Sequence, residues 1–134
     1  CTAGLLAQHI ASISGSSAYY QGALLTYSNE LKVKIAQVNA DTLAKHGAVS
    51  EQTAIEMAAN GRNILGVDYC LSTTGVAGPT GGSPDKPVGS VWVGLSGPNG
   101  TIAKKFQFGD NRQRNLEMTV LSAMNWLRYY LKTN

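Results

Sequence analysis

Four side chains in the first third of the chain are of types that do acyl-transfer chemistry when gathered: the hydroxyls of Ser16 and Ser17, the phenol of Tyr27 and the ammonium of Lys32. A serine hydroxyl is a weak nucleophile at neutral pH and needs a base. Lysine serves as that base when burial or a neighbouring cation lowers its pKa, and serine–lysine pairs are a recurring variant of the serine–histidine theme. A tyrosine relays the proton or steadies the oxyanion. The chemistry these types support is hydrolysis of an amide or ester through a covalent acyl-enzyme. Residue type alone does not select it, because serines are common in turns and Lys34 is a nearby lysine of the solvated kind.

The elements that must position these groups follow from local pattern. Ala23–Tyr27 reads as a short apolar strand running into a turn at Ser28–Asn29, where Asn29 can cap a helix containing Leu31, Val33 and Ile35. That places Tyr27 and Lys32 across a strand-to-helix junction, the end of a strand at which α/β proteins bind ligands. Upstream, Leu5, Leu6, His9, Ile10 and Ile13 have helical spacing with Thr2 near the N-cap, and Ser14–Gly22 is a loop with one helical turn. Downstream come a short helix over 41–45 ending at Gly47, and a longer helix capped by Ser50 and closed by Gly66. Small residues at 54, 58 and 61 of that helix permit close packing. A strand over 69–74 then opens into the glycine-rich run 75–87, and strands 88–95 and 101–108 form a hairpin across Gly97-Pro98-Asn99-Gly100. A last helix starts at Gly109-Asp110-Asn111 and carries Leu116, Val120, Met124, Leu127 and Leu131 as its apolar stripe. The expected fold class is therefore α/β, a three-layer α/β/α domain over residues 1–134 with a mixed central sheet. Because the chain opens at Cys1 directly on a helix start, a preceding strand is expected outside it.

With 134 residues, a core needs no disulfide or structural metal. The 43% apolar and 14% charged composition is low in charge for a free surface, which points to a homo-oligomer, most simply a homodimer. The two cysteines and two histidines have no metal-finger spacing, so neither metal nor cofactor is expected. A net charge of +3 without a basic run gives no nucleic-acid signature, and no apolar run spans a membrane, leaving the cytoplasm as the expected compartment. The glycine-rich run lacks both GxxxxGK[ST] and GxGxxG order. Arg112 and Arg114 oppose the dipole of the last helix, which hints at a bound anion.

Read in order, Cys1-Thr2-Ala3-Gly4, Gly15-Ser16-Ser17, Thr26-Tyr27-Ser28-Asn29-Glu30-x-Lys32, His46-Gly47-Ala48-Val49-Ser50, Gly75-Val76-Ala77-Gly78-Pro79-x-Gly81-Gly82-Ser83 and Lys86-Pro87-Val88-Gly89 resemble the successive signatures of the CinA carboxy-terminal domain, the competence/damage-inducible and nicotinamide-nucleotide amidohydrolase family. The resemblance implies metal-independent hydrolysis of nicotinamide mononucleotide to nicotinate mononucleotide and ammonia, in pyridine-nucleotide salvage. It places the nucleophile on Ser17, with Tyr27 and Lys32 as acid–base partners. It implies nucleotide contacts from Thr2, Gly4, Ser16, Asn29, Gly75, Ala77, Gly78 and Gly81, ring stacking on Tyr19 or Tyr20, and phosphate contact from Arg112 or Arg114. A helix and strand ahead of Cys1 and a fused pyrophosphatase-like domain in a longer protein are further implications. The other reading is a nucleotide-binding or oligomerisation module without turnover. Two stretches depart from the family pattern: Ala3 stands where a glycine is usual, at a position suited to positive φ, and in the last helix Asn111 follows Gly109-Asp110 as an insertion while Leu116 stands where a further arginine is common.

Overall fold

Helix boundaries are set by a few hydroxyl, amide and glycine residues. In the computed structural model, which describes residues 1–134, α1 is Leu5–Ala11, followed by a 3-10 turn at Ser16–Ala18. Then come α2 Asn29–Lys34, α3 Ala40–His46, α4 Glu51–Leu65, β1 Cys70–Gly75, β2 Ser90–Gly97, β3 Gly100–Gln107 and α5 Arg112–Thr133. Ser50 caps α4 by accepting from the Thr53 N–H, and Gly66 ends it at φ 61°. Asn111 caps α5 by accepting from the Arg114 N–H, while α1 starts from Gly4 rather than from Thr2.

The three strands lie in the order β1-β2-β3 and pair antiparallel throughout, with Ser72 opposite Gly94 and Gly97 closing on Gly100 across the Pro98-Asn99 turn. Alternation along the strands sends odd residues of β2 to one face and even residues to the other. Val91 and Val93, fully buried, meet Ala123 of α5 with Leu71, Phe106 and Trp126 around them. On the opposite face, Ser72 Oγ donates to the Ala54 carbonyl of α4 at 2.6 Å. The layers are thus α4, sheet and α5, an α/β/α sandwich.

Close approach of α4 depends on the small residues read in the sequence: Ala54 and Ala58 are fully buried and Gly61 faces Cys70. It depends equally on Gly94, where a Cβ would collide with the Ala54 carbonyl oxygen and the Ser72 hydroxyl. Because both obstacles are held by neighbouring backbone, Gly94→Ala is expected to destabilise the fold by about 1–3 kcal/mol, read as a lower urea midpoint at unchanged slope.

The structure also departs from expectation in the Ala23–Tyr27 segment, in the pairing of the sheet and in the buried face of α5. Ala23–Tyr27 runs into α2 but is no strand: residues 21–27 make no backbone–backbone hydrogen bond, and the sheet has no parallel member to make it mixed. Leu25 is 56% exposed there, so its apolar side chains have no facing layer, and a strand needs a neighbour as well as a pattern. In α5 the buried residues are Asn115, Thr119, Val120 and Ala123: of the expected stripe only Val120 is fully buried, Leu116, Met124 and Leu127 are half-buried, and Leu131 is 49% exposed. Small side chains allow α5 to lie close on the sheet, which selects this face over the more hydrophobic one.

Candidate active site

Lys32 owes its position to a cap. Ser28, not Asn29, is the N-cap of α2, its hydroxyl accepting from the Leu31 N–H at 3.2 Å. One turn later, Lys32 folds back along the segment that leads into the helix. Its Nζ donates to the Thr26 carbonyl at 3.0 Å and to the Tyr27 carbonyl at 3.3 Å. Only 6% of the residue is exposed. Burial lowers its pKa from the ordinary lysine value of 10.5, with no acidic neighbour to oppose the shift. A neutral amine has two N–H bonds and one lone pair. In that neutral form, with both N–H bonds donated to the two carbonyls, the lone pair is what remains, and a general base requires one.

Tyr27 is 62% exposed, and its hydroxyl accepts from Arg112 Nη2 at 3.4 Å. The same guanidinium donates through Nη1 to the Gly78 carbonyl at 2.9 Å. Cys1 belongs to this neighbourhood, its backbone nitrogen largely buried and close enough to Lys32 and Arg112 for both charges to act on it. Thr2, 8% exposed, places its hydroxyl 3.1 Å from that of Thr73 on β1. Tyr27, Lys32, Arg112, the start of α1 and the Gly78 loop therefore occupy one region.

Ser17 lies in the 3-10 turn after Gly15, whose φ of 84° reverses the chain at the end of the preceding loop. Its side chain is exposed and makes no hydrogen bond, and Lys32 Nζ bonds only to the two carbonyls. Ser16 is half-buried and Asn29 exposed. A cavity of about 1010 Å³ opens between α1, residues 18–27, β1 and the end of α5; Thr2, Gly4, Tyr19, Tyr20, Thr26 and Tyr27 are on its wall, whereas Ser17 and Lys32 are not.

In the loop after β1, Ala77 and Gly78 are buried, while Gly81 is exposed at φ 88°. Arg114, two residues beyond Arg112, lies about 200° further round α5 and makes no side-chain hydrogen bond, so only Arg112 joins the cluster. Two participants escaped sequence reading. Thr26 contributes only its carbonyl, which no residue type announces. Asn115 is 1% exposed and donates to the Ala77 and Gly109 carbonyls at 2.9 and 2.8 Å; a polar residue one step from an apolar stripe was its available signal.

A family model described as the CinA C-terminal domain matches residues 1–131. The chain belongs to the CinA C-terminal domain family. A CinA-like protein of Citrifermentans bemidjiense is 44% identical over 99% of this chain, and a putative competence-damage inducible protein of Caldanaerobacter subterraneus is 48% identical over 98%. The chain spans 32% of the length of each, about a third of these longer CinA-family relatives. Among solved CinA-family structures, the competence/damage inducible protein CihA of Agrobacterium tumefaciens superposes with a TM-score of 0.93 at 37% identity, covering 96% of this chain and 79% of that one. A CinA superfamily protein of Klebsiella pneumoniae 700603 gives 0.96 at 31% identity, covering 100% and 84%. No helix of the domain is long and apolar enough to cross a membrane.

The CinA motif that opens the chain contains Ala3 at φ 49°, a left-handed backbone that a Cβ disfavours. Ala3→Gly is expected to stabilise the domain by about 0.5–1 kcal/mol, the relief of strain exceeding the extra backbone entropy of glycine. Thermal unfolding of the two proteins side by side checks the sign.

Proposed function

We propose that this domain is a metal-independent amidohydrolase that converts nicotinamide mononucleotide to nicotinate mononucleotide and ammonia, as its CinA-type motifs imply. The observation that carries the reading is Lys32: a buried lysine whose pKa desolvation lowers, with its Nζ donating to two backbone carbonyls and no acidic partner holding it charged.

Ser17 Oγ attacks the carboxamide carbon while the Lys32 lone pair takes its proton, directly or through Tyr27. The tetrahedral oxyanion is held by backbone N–H groups of the Gly75–Ser83 loop, where Ala77, Gly78 and Gly81 lie. Collapse breaks the C–N bond, and the proton passes from Lys32 to the departing ammonia. Water, deprotonated by Lys32, then cleaves the ester, leaving a carboxylate and a restored Ser17. A cationic pyridinium makes the carboxamide carbon more electrophilic and stacks on Tyr19 or Tyr20. Thr2, Gly4, Ser16, Asn29 and Gly75 contact the nucleotide around this centre.

A specific observation favours a second reading, because Ser17 and Lys32 are not hydrogen-bonded to each other. Under it the domain binds the nucleotide without turning it over, inside a longer protein with a pyrophosphatase-like domain and a homodimeric assembly. Ammonia release from nicotinamide mononucleotide by the purified chain, with and without a chelator, separates the two. Stoichiometric ammonia and nicotinate mononucleotide support the amidase; tight binding without ammonia contradicts it and supports the second reading.

A further inference from the structure

We propose that Arg112 is a positioning residue, which ties the Tyr27 phenol to the Gly78 peptide and so holds acid–base group and glycine loop at a fixed separation. The inference rests on the amidase reading and deepens it. Three segments far apart in sequence meet at this guanidinium: Tyr27 before α2, Gly78 in the loop after β1, and the first residue of α5. A planar guanidinium with nitrogens in a rigid fork fixes two acceptors relative to one another, as a flexible ammonium does not.

What the guanidinium holds is itself unable to adjust. Gly78 has a φ of 87°, and a Cβ there would collide with Val88. Asn115, one turn along α5, holds the preceding carbonyl of Ala77. Consecutive carbonyls of the loop are thus pinned to α5 by side chains three residues apart. The Ala77–Gly78 peptide is trans, so the Gly78 N–H points opposite to the pinned Ala77 carbonyl, and it has no acceptor within the protein. Since the Tyr27 oxygen accepts from Arg112, its own O–H is left to donate elsewhere. The arrangement leaves the Tyr27 phenol proton and the Gly78 amide proton without an acceptor in the protein, on the two segments that one cation joins. It also accounts for a cation at the N-terminus of α5, where the helix dipole is unfavourable: Arg112 is placed by its two acceptors.

A phosphate anchor and a positioning residue differ in measurable ways. Steady-state kinetics of Arg112→Ala, Arg112→Lys, Tyr27→Phe and the Tyr27→Phe/Arg112→Ala double variant are compared on nicotinamide mononucleotide and on the phosphate-free riboside. Arg112→Ala is expected to lower kcat about 10- to 100-fold on both compounds with little change in KM. Arg112→Lys, which reaches one acceptor only, is expected not to restore it. In the Tyr27→Phe background, the further loss is expected to shrink to about twofold, because residues acting as one unit are not additive. A KM increase confined to the phosphorylated compound, or fully additive losses, would overturn the proposal. If the parent protein releases no ammonia from either compound, the amidase reading itself fails, and amide hydrogen exchange decides the positioning separately. Faster exchange across residues 75–83 in Arg112→Ala, with a displaced Tyr27 ring resonance, supports it; unchanged exchange and resonance overturn it.

Discussion

Under the proposed amidase mechanism, Ser17→Ala is expected to abolish ammonia release from nicotinamide mononucleotide, with a loss of about 10⁴-fold or more in kcat, and to leave the fold unperturbed. The size follows from the role: without an oxygen nucleophile no acyl-enzyme forms, and the residual rate is what binding and backbone donors alone provide. The innocence of the substitution for stability follows from geometry. The side chain is exposed, makes no hydrogen bond, and sits in a turn that backbone bonds hold, with the Ala18 N–H donating to Gly15 and the Tyr19 N–H to Ser16. A surface change of that kind shifts stability by no more than about 0.5 kcal/mol. Matching circular dichroism and unfolding midpoints, alongside lost turnover, are the expected pair of results. Turnover within tenfold of the parent would remove Ser17 from the mechanism.

Lys32→Met is expected to have the second large effect, about 10²- to 10⁴-fold in kcat, the span of general acid–base catalysis by a placed side chain. Methionine keeps the apolar stem but leaves the Thr26 and Tyr27 carbonyls without their donor, so some stability is lost together with activity. The pH dependence separates the two consequences. The base works only when neutral, so kcat rises with pH through a Lys32 pKa that burial holds below 10.5. That rising limb is absent from the Lys32→Met variant. The stability linkage has a definite sign. Between the lowered folded value and 10.5 the unfolded chain holds a proton on this lysine that the folded chain has released, so the Lys32 contribution to stability rises with pH across that window. It falls away as the solution is acidified and the buried amine must charge. Unfolding midpoints measured across alkaline pH, parent against Lys32→Met, read this directly.

Local chemistry was legible in the sequence, and tertiary placement was not. Ser50 before a helical run, glycine at 66 and the Gly97–Gly100 turn each act within a few residues, so their positions follow from pattern. Small residues at 54, 58 and 61 likewise signalled how closely α4 approaches the sheet. The serine, tyrosine and lysine were visible as types, and the order of motifs brought out their family. Burial of Lys32 was not visible, since it depends on the chain folding back over Thr26 and Tyr27. Strand status at Ala23–Tyr27 was over-read, because a pattern of apolar residues cannot report whether another strand lies alongside. Arg112 and Arg114 were equivalent in sequence, and only the helix rotation between them puts one beside Tyr27 and the other away from it. Asn115 shows the same limit: periodicity gave the existence of α5, while the choice of buried face went to the side chains small enough to pack.

The proposed mechanism requires a covalent acyl-enzyme on Ser17. Its most direct test is mass spectrometry of the intact chain, acid-quenched within the first turnover with excess nicotinamide mononucleotide, followed by peptide mapping. The expected result is a transient adduct equal to the nucleotide less ammonia, carried on the Ser16–Ser17 peptide, absent from Ser17→Ala and prolonged in Lys32→Met. Normal ammonia release with no adduct at any time, or an adduct on a different residue, contradicts it.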